Sequence, residues 1–370
     1  MSKNRIIMIR FLVSYDTIMR TMTRNQQRIT ISLLQKDGQS SSSIHASLSA
    51  TKGEAISLVT VKRALSAMAD ARLLAVSGAG PSTLYSVTPL GRLFADIDPT
   101  TYVALEPDMR YGLSHYNFGL LPAIPDDIFS DAEHETLDAA TGEYMRRTSD
   151  LSKTVQKKEL ERLVIELSWK SSKIEGNTYT LLDTEKLILE GKEAAGHDKS
   201  EAVMILNHKD AFTFAHEHRD LFRTLTRPNM EKLHEILVKN LGVGTGLRVR
   251  PVGVIGSRYR PLDVPQQIAE AVADVCEAVA RLSSPYAKAL VALLGISYIQ
   301  PFEDGNKRTG RLMANALLLS HDLSPLSYRS VDEESYRAAM LVFYELNSLE
   351  AFKRLFVSQY DFAARNYAAR

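Results

Sequence analysis

Apolar residues recur at helical spacing along most of the chain, in two successive styles. Over the first hundred residues the segments are short. Gln27 to Leu34 reads as a short amphipathic helix, and Ser40 to Ser43 form a capping cluster ahead of Ile44 and Leu48. Val61, Leu65 and Met68 put one apolar stripe on a helix over 59–69. Arg72 to Val76 reads as a strand, Gly78 to Pro81 as a turn, and Leu84 to Val87 as a second strand. Helix, helix, helix, hairpin is the order of a winged helix-turn-helix, and residues 1–100 are assigned to that domain. In that arrangement Ser57, Thr60, Lys62 and Arg63 face the DNA major groove, and the Gly78–Gly80 turn is the wing. The wing is poor in Lys and Arg, which weakens phosphate anchoring. Protein docking therefore competes with DNA reading as the role of this domain.

Residues 101–132 read as a connector. Pro107, Pro122 and Pro125 interrupt it, and Asp126, Asp127 and Asp131 make it acidic. Its Tyr111, Tyr116 and Phe118 predict packing rather than free motion. From about Glu133 to residue 370 the pattern is almost entirely helical, the main exception being Gly242–Pro265. Trp169, Tyr336, Phe343 and Tyr344 sit at helical spacings among apolar neighbours and read as core. The expected fold class is mainly α: an all-helical domain with a small β-hairpin, preceded by the winged helix-turn-helix.

Composition narrows the picture only slightly. The chain has 370 residues, 45% hydrophobic and 24% charged, room for two or three ordinary domains. A net charge of +1 gives no global electrostatic case for nucleic acid. Cys276, the only cysteine, lies in an apolar helical run as core filler, and a reducing, cytoplasmic location is expected. No apolar run reaches the ~18–20 residues that span a bilayer, so no membrane partner is expected. Arg5 to Val13 is basic and apolar, but Arg10 interrupts it and no small-residue cleavage pattern follows, so no signal peptide is expected.

Candidate chemistry concentrates in 300–311. One apolar helix pattern runs into this stretch from Ala289 to Tyr298, and another leaves it from Leu312 to Leu319. Between them lie Glu303, Asp304, Gly305, Asn306, Lys307, Arg308 and Arg311. A Gly-containing turn that opens a helix points free N–H groups and the positive helix end at an anion. Arg308 and Arg311, three apart, share a face, and a guanidinium fork suits phosphate oxygens. Asp304 is a hard oxygen ligand able to hold Mg²⁺ against the same phosphates. The competing reading is a solvated charged loop between two core helices.

The run Pro301, Phe302, Asp304, Gly305, Asn306, Lys307, Arg308 and Arg311 resembles the signature loop of the Fic family, His-Pro-Phe-x-Asp/Glu-Gly-Asn-Gly/Lys-Arg-x-x-Arg. One position departs: the family's histidine falls at Gln300. Family members transfer AMP, or less often another phosphate-containing group, from a nucleotide to a protein hydroxyl, and the histidine is the general base. A Gln amide accepts no proton near neutrality, and general-base catalysis is typically worth ~10²–10⁴ in rate. The resemblance implies ATP and Mg²⁺ at Asp304–Arg311. Asp304 would hold the metal. Asn306, with the N–H groups around Gly305 and Lys307, would seat phosphates. Arg308 and Arg311 would hold the β- and γ-phosphates, and a buried Phe302 would anchor the loop.

Two further segments carry the resemblance across 133–360. Ser171, Glu175 and Gly176, at the end of a helical stretch about 160–177, resemble the family's inhibitory motif Ser/Thr-x-x-x-Glu-Gly/Asn. A glutamate brought to the phosphate site would pair with Arg311 and compete with the γ-phosphate for one fork. Residues 246–262, with Val252, Val254, Ile255 and Gly256, resemble the flap, a β-hairpin whose edge receives a target segment as an added strand. Of the histidines, His216 and His218 read as surface, and His234 as a packed core residue.

Three functions remain open at this point. The first is a protein adenylyltransferase, an AMPylator self-inhibited by Glu175, with Gln300 in place of the base. The second is a catalytically dead nucleotide sensor that regulates transcription through the winged helix. The third is a deAMPylase in which Glu175 positions water. The partners implied are ATP and a Ser, Thr or Tyr hydroxyl of a protein, with this chain itself one candidate acceptor; a second copy in a homodimer is a further candidate, and DNA is the less expected partner.

Overall fold

The computed structural model describes residues 22–50 and 56–368. Arg5–Val13 lies outside the described residues. Helices α1 (Arg24–Gln35), α2 (Ser41–Ser49) and α3 (Leu58–Asp70) come first, followed by strands β1 (Leu74–Ser77) and β2 (Leu84–Val87). Each helix starts on a hydroxyl cap, at Thr23, Ser40 and Ser57. The strands pair antiparallel, Leu74 opposite Val87 and Ser77 opposite Leu84, and form the only sheet among the described residues. Ile29, Leu33, Ile44, Val61, Leu65, Met68 and Leu74 close a small core of their own. On the other face of α3, Thr60, Lys62 and Arg63 are exposed. The hydroxyls of Ser57 and Thr60 hydrogen-bond each other at 2.9 Å, so both serve the cap.

The body adds α4 (Pro89–Leu93), α5 (Pro99–Val103), α6 (Asp131–Ser149), α7 (Lys153–Ile174), α8 (Leu181–Glu190) and α9 (Lys199–Glu217). It continues with α10 (Arg227–Leu237), α11 (Pro265–Arg281), α12 (Pro285–Ile299), α13 (Asn306–Ser320), α14 (Glu333–Leu346) and α15 (Glu350–Asn366). The protein is thus mainly helical with one small hairpin. Among the described residues no helix is long and apolar enough to cross a membrane.

The large core begins earlier than the sequence suggests. Leu93 and Phe94 already belong to it, and so do Tyr116, Leu120, Leu121, Ile124, Ile128 and Phe129 of the connector. Prolines keep the connector from forming long helices, but its apolar side chains still gain ~25 cal/mol per Å² by burial. A smaller cluster joins Leu34 of α1 and Tyr102 of α5 to Val342 and Leu346 of α14.

Helix α12 is buried nearly all round, as a central helix must be. Two glycines set how closely it packs. A Cβ on Gly295 would stand 2.4 Å from Val275 Cγ2 of α11, and one on Gly310 of α13 would stand 2.9 Å from the Leu293 carbonyl oxygen. That close antiparallel packing carries α12 out into the 300–305 loop and back along α13.

The segment 246–262 differs from expectation. Its residues form no strand ladder, and it turns at Ile255 and Gly256. Pro251 and Pro261 have no N–H to give a ladder, and Gly253 and Gly256 disfavour strand backbone. A single parallel bridge, Arg260 with His115, replaces the expected hairpin pairing.

Candidate functional site

Helix α12 ends at Gln300, which adopts the left-handed conformation (φ 51°, ψ 58°) and donates its N–H to Ile296 at 3.0 Å. A non-glycine residue there costs roughly 1–2 kcal/mol, and such strain gathers at functional sites. The Gln300 side chain is buried, and its Nε2 donates to the Ser297 carbonyl at 2.6 Å. Phe302 is fully buried and stacks on the His234 ring, centroids 3.7 Å apart and 7° from parallel. His234 Nε2 lies 3.0 Å from the Asp304 carbonyl oxygen. Asn306 closes the loop. Its Oδ1 accepts the Phe302 N–H at 2.8 Å, and its Nδ2 donates to the Phe302 carbonyl at 2.9 Å. The amide thus shapes the cradle, while the second Nδ2 hydrogen has no partner in that pair and Asn306 lines the cavity.

Gly305 (φ 77°) precedes α13, and no side chain caps the helix. Its first N–H groups are therefore free to meet an anion. Arg308 is buried beside them. Its Nη2 donates to Asp304 Oδ2 at 3.1 Å, while the buried Nη1 has no partner. Burial lowers its pKa, against the opposing pull of Asp304 and Glu175. The Asp304 side chain itself is 67% exposed. Among the described residues no group of three or more His, Cys, Asp or Glu gathers as a metal cage. A divalent cation here would take Asp304 and draw its other ligands from phosphate and water, the usual habit of Mg²⁺.

Arg311 is fully buried. Its Nε donates to Ser171 Oγ at 2.8 Å, Nη2 to the Ser171 carbonyl at 2.9 Å, and Nη1 to the Tyr336 hydroxyl at 3.4 Å. Glu175 Oε1 stands 2.9 Å from Nη2, and Oε2 accepts from Lys307 Nζ at 3.1 Å. The first of these is a charge contact without hydrogen-bond alignment: Glu175 Oε1 has no hydrogen-bond partner, because Nη2 points at Ser171. Burial pushes the Glu175 carboxyl up, but the charges of Arg311 and Lys307 outweigh it and hold the group below its ordinary value. Glu175 is the C-cap of α7, and Gly176 follows with φ 99°. Arg337 Nη2 donates to the Ile174 carbonyl at 2.8 Å and Lys170 pairs with Glu333 at 2.6 Å, so α14 grips the end of α7.

A cavity of about 500 Å³ opens between the loop, the end of α7, α14 and the flap. Gln300, Asp304, Gly305, Lys307 and Arg308 line it, with Glu175, Val252, Val254 and Ile255. Arg311 and Ser171 lie behind Glu175, off the wall. Ile255, at the tip of the flap, is 99% exposed. Thr60, Lys62 and Arg63 take no part in the cavity.

Sequence reasoning passed over two arginines. Arg248 is buried and clamps the flap to the loop: its Nε donates to the Gln300 carbonyl at 2.6 Å and its N–H to Pro301 at 2.9 Å, and Nη2 reaches the Leu262 carbonyl. Arg337 lines the cavity from α14. No histidine is on the wall. His208 is fully buried as well. Both its ring nitrogens are unpartnered, and burial, with the Arg311 and Arg308 charges, pushes its pKa well down.

An uncapped helix start with buried guanidiniums, faced by a carboxylate from a second helix, thus meets the cavity inside a mainly helical body. Residues 224–318 match the family model described as the Fic/DOC family. It is 23% identical over 204 residues to a protein named protein adenylyltransferase fic-1 from Caenorhabditis elegans, covering 52% of this chain and 39% of that protein. The chain thus spans well under half the length of that curated relative. A solved fragment of Fic-1 from C. elegans superposes with a TM-score of 0.54 at 18% identity, covering 64% of this chain and 72% of that one. A Fic domain containing signalling protein from Bacteroides thetaiotaomicron gives 0.53 at 18%, covering 62% of this chain and 94% of that one.

Proposed function

We propose that this chain binds ATP with Mg²⁺ in the cavity, and that transfer of AMP to a protein hydroxyl is held back twice, by Glu175 and by Gln300. One observation carries this reading: Glu175 places a carboxylate 2.9 Å from a fully buried arginine beside an uncapped helix start, where a phosphate would otherwise sit. The unpartnered Nη1 of Arg308 supports it, since a buried cationic donor without an acceptor is costly unless an anion completes it. The likeness to proteins named adenylyltransferases points to AMP as the group moved.

ATP, when bound, supplies the adenylyl group and pyrophosphate as leaving group. The remaining tasks fall to the chain. The uncapped N–H groups and Arg308 would hold phosphate oxygens, and Asp304 would hold the metal, whose chemistry would be to neutralise phosphate charge. Arg311 takes the terminal phosphate once Glu175 leaves it. The acceptor hydroxyl must lose a proton as its oxygen bonds to the α-phosphorus. Gln300 stands at the end of α12 facing the cavity, where the family's histidine is expected, and its amide cannot take that proton. The flap borders the same cavity, so an acceptor segment laid along Val252–Ile255 brings its hydroxyl to the loop.

The test is Gln300→His with Glu175→Gly, scored by radiolabel transferred from ATP to protein. The pair should label strongly and either change alone far less, because one supplies a base and the other frees Arg311. A double variant as silent as the parent would overturn the transfer reading. Loss of label from premodified protein in the parent chain would instead favour AMP removal with Glu175 positioning water. For the first unit we favour docking to protein over DNA: Val59, Val76 and Leu84 are exposed on it, and the turn between β1 and β2 carries no Lys or Arg.

A further inference from the structure

Helix α14 lines the cavity with Tyr336 and Tyr344, yet its last turn carries a carboxylate that faces elsewhere. Glu345 is fully buried. Its Oε1 accepts from Ser257 Oγ at 2.7 Å and lies 3.4 Å from Arg110 Nη1. Its Oε2 accepts from the Tyr102 hydroxyl at 2.8 Å. Arg110, also buried, spreads its guanidinium over three main-chain carbonyls. Nε donates to Leu105 at 2.9 Å, Nη2 to Val103 at 3.2 Å, and Nη1 to Gly256 at 2.9 Å.

The returning leg of the flap is tied to the same place. Arg258 donates to the Arg110 main-chain oxygen, and the Arg260 N–H donates to Ser114 at 2.9 Å. The Glu345 carbonyl accepts the Leu113 N–H at 2.6 Å. Gly112 (φ 120°) passes so close that a Cβ there would stand 2.4 Å from that oxygen. Tyr259 is buried here, stacking on Tyr298 and donating its hydroxyl to the Tyr298 carbonyl at 2.8 Å, so it anchors the middle of this leg, while Arg110, Ser257 and Glu345 fix the turn at its start in a stretch with no strand ladder. A buried charge pair adds little net stability, but a fully satisfied network fixes geometry.

We propose that Arg110 and Glu345 are positioning residues for the protein acceptor. They hold the Ile255–Gly256 turn over the cavity, so that the flap presents an edge to an incoming segment at a set height above Gln300. This inference rests on the acceptor reading given above.

Two variants of the full chain test it. Glu345→Gln keeps volume and removes the charge, and Ser257→Ala removes only the flap's hydroxyl. Amide exchange at Ser257 and Arg260 should rise about tenfold, the scale of one lost hydrogen bond to a charged group, while α12 and α13 keep parental protection. ATP affinity by calorimetry should stay within about twofold. In the Gln300→His, Glu175→Gly background, with the parent chain supplied as acceptor, KM for the acceptor should rise about fivefold or more with little change in kcat. Folded variants with unchanged exchange overturn the proposal. So does raised exchange with an unchanged acceptor KM, because the flap would then be held for another purpose. A background enzyme that labels nothing sinks the transfer reading instead, and exchange alone then decides whether this network sets the flap.

Discussion

Replacing Glu175 with Gln removes one negative charge from beside a fully buried guanidinium and keeps the side-chain volume. Arg311 would retain Ser171 Oγ, the Ser171 carbonyl and the 3.4 Å contact to Tyr336, but no counter-charge. Breaking a buried pair costs ~3–5 kcal/mol. The retained donors and the 17% exposure of the Glu175 side chain place this case at the low end, about 3 kcal/mol. At ~2–4 °C per kcal/mol, the unfolding midpoint should fall by about 6–12 °C without nucleotide. ATP with Mg²⁺ should reverse that loss, because the freed Arg311 gains a charge-assisted hydrogen bond worth ~1.5–3 kcal/mol, or roughly 10–100-fold in Kd. ADP has no terminal phosphate to offer and should gain less than about threefold. Titration calorimetry with both nucleotides, alongside scanning calorimetry, measures each number. Equal gains for ATP and ADP, or no gain for either, would refute the argument that Glu175 occupies the seat of a terminal phosphate.

Gly305→Ala should cost about 1–2 kcal/mol of stability and weaken ATP binding, since φ 77° is left-handed and the new Cβ would sit 3.3 Å from Val238 Cγ1; thermal melts and titration read both. His208 is held neutral by burial while an unfolded chain takes up its proton near pH 6.5, so the unfolded state binds more protons below that value. Stability should therefore decline on acidification from 6.5 by up to ~1.4 kcal/mol per pH unit, and His208→Asn should flatten the slope in denaturant titrations. The Glu175 carboxyl is depressed, so its contribution is complete above about 4.5 and is lost only as pH falls through its lower folded value; ATP affinity should show no release of the latch between about pH 5 and 8. Retention of duplex DNA at low salt should be absent and unaltered by Lys62→Ala with Arg63→Ala, whereas steeply salt-dependent binding abolished by that pair would restore the DNA reading.

The helices were legible because their signals are local. Val61, Leu65 and Met68 face inward as their spacing requires, and the serines ahead of α2 and α3 cap them. The pairing of Glu175 with Arg311 followed from motif resemblance alone, since nothing in either local pattern links residues 136 positions apart. The strand pairing expected of 246–262 does not form, because alternating Val and Gly mimics a strand while Pro251 and Pro261 remove the donors a ladder needs. The loop-closing bonds of Asn306 to the main chain of Phe302 were invisible for a related reason, since they depend on how the loop folds back on itself. Arg248, Arg110 and Glu345 escaped altogether, because burial of a charge by a distant carbonyl or hydroxyl leaves no trace in periodicity.

The helix that carries Glu175 is also the helix that seats Arg311. Ser171, one turn earlier on α7, supplies two of the arginine's hydrogen bonds. If Glu175 inhibits as proposed, it is therefore no removable plug. Excising α7 would strip the receptor of its own scaffolding and leave a limp guanidinium in place of an open seat. Relief of the proposed inhibition would be confined to the last turn, with Gly176 as pivot, swinging the carboxylate aside while Ser171 stays put. Any natural activator would work as a lever on a few residues near Arg337 and Glu333, and a deletion mutant would mimic damage rather than activation.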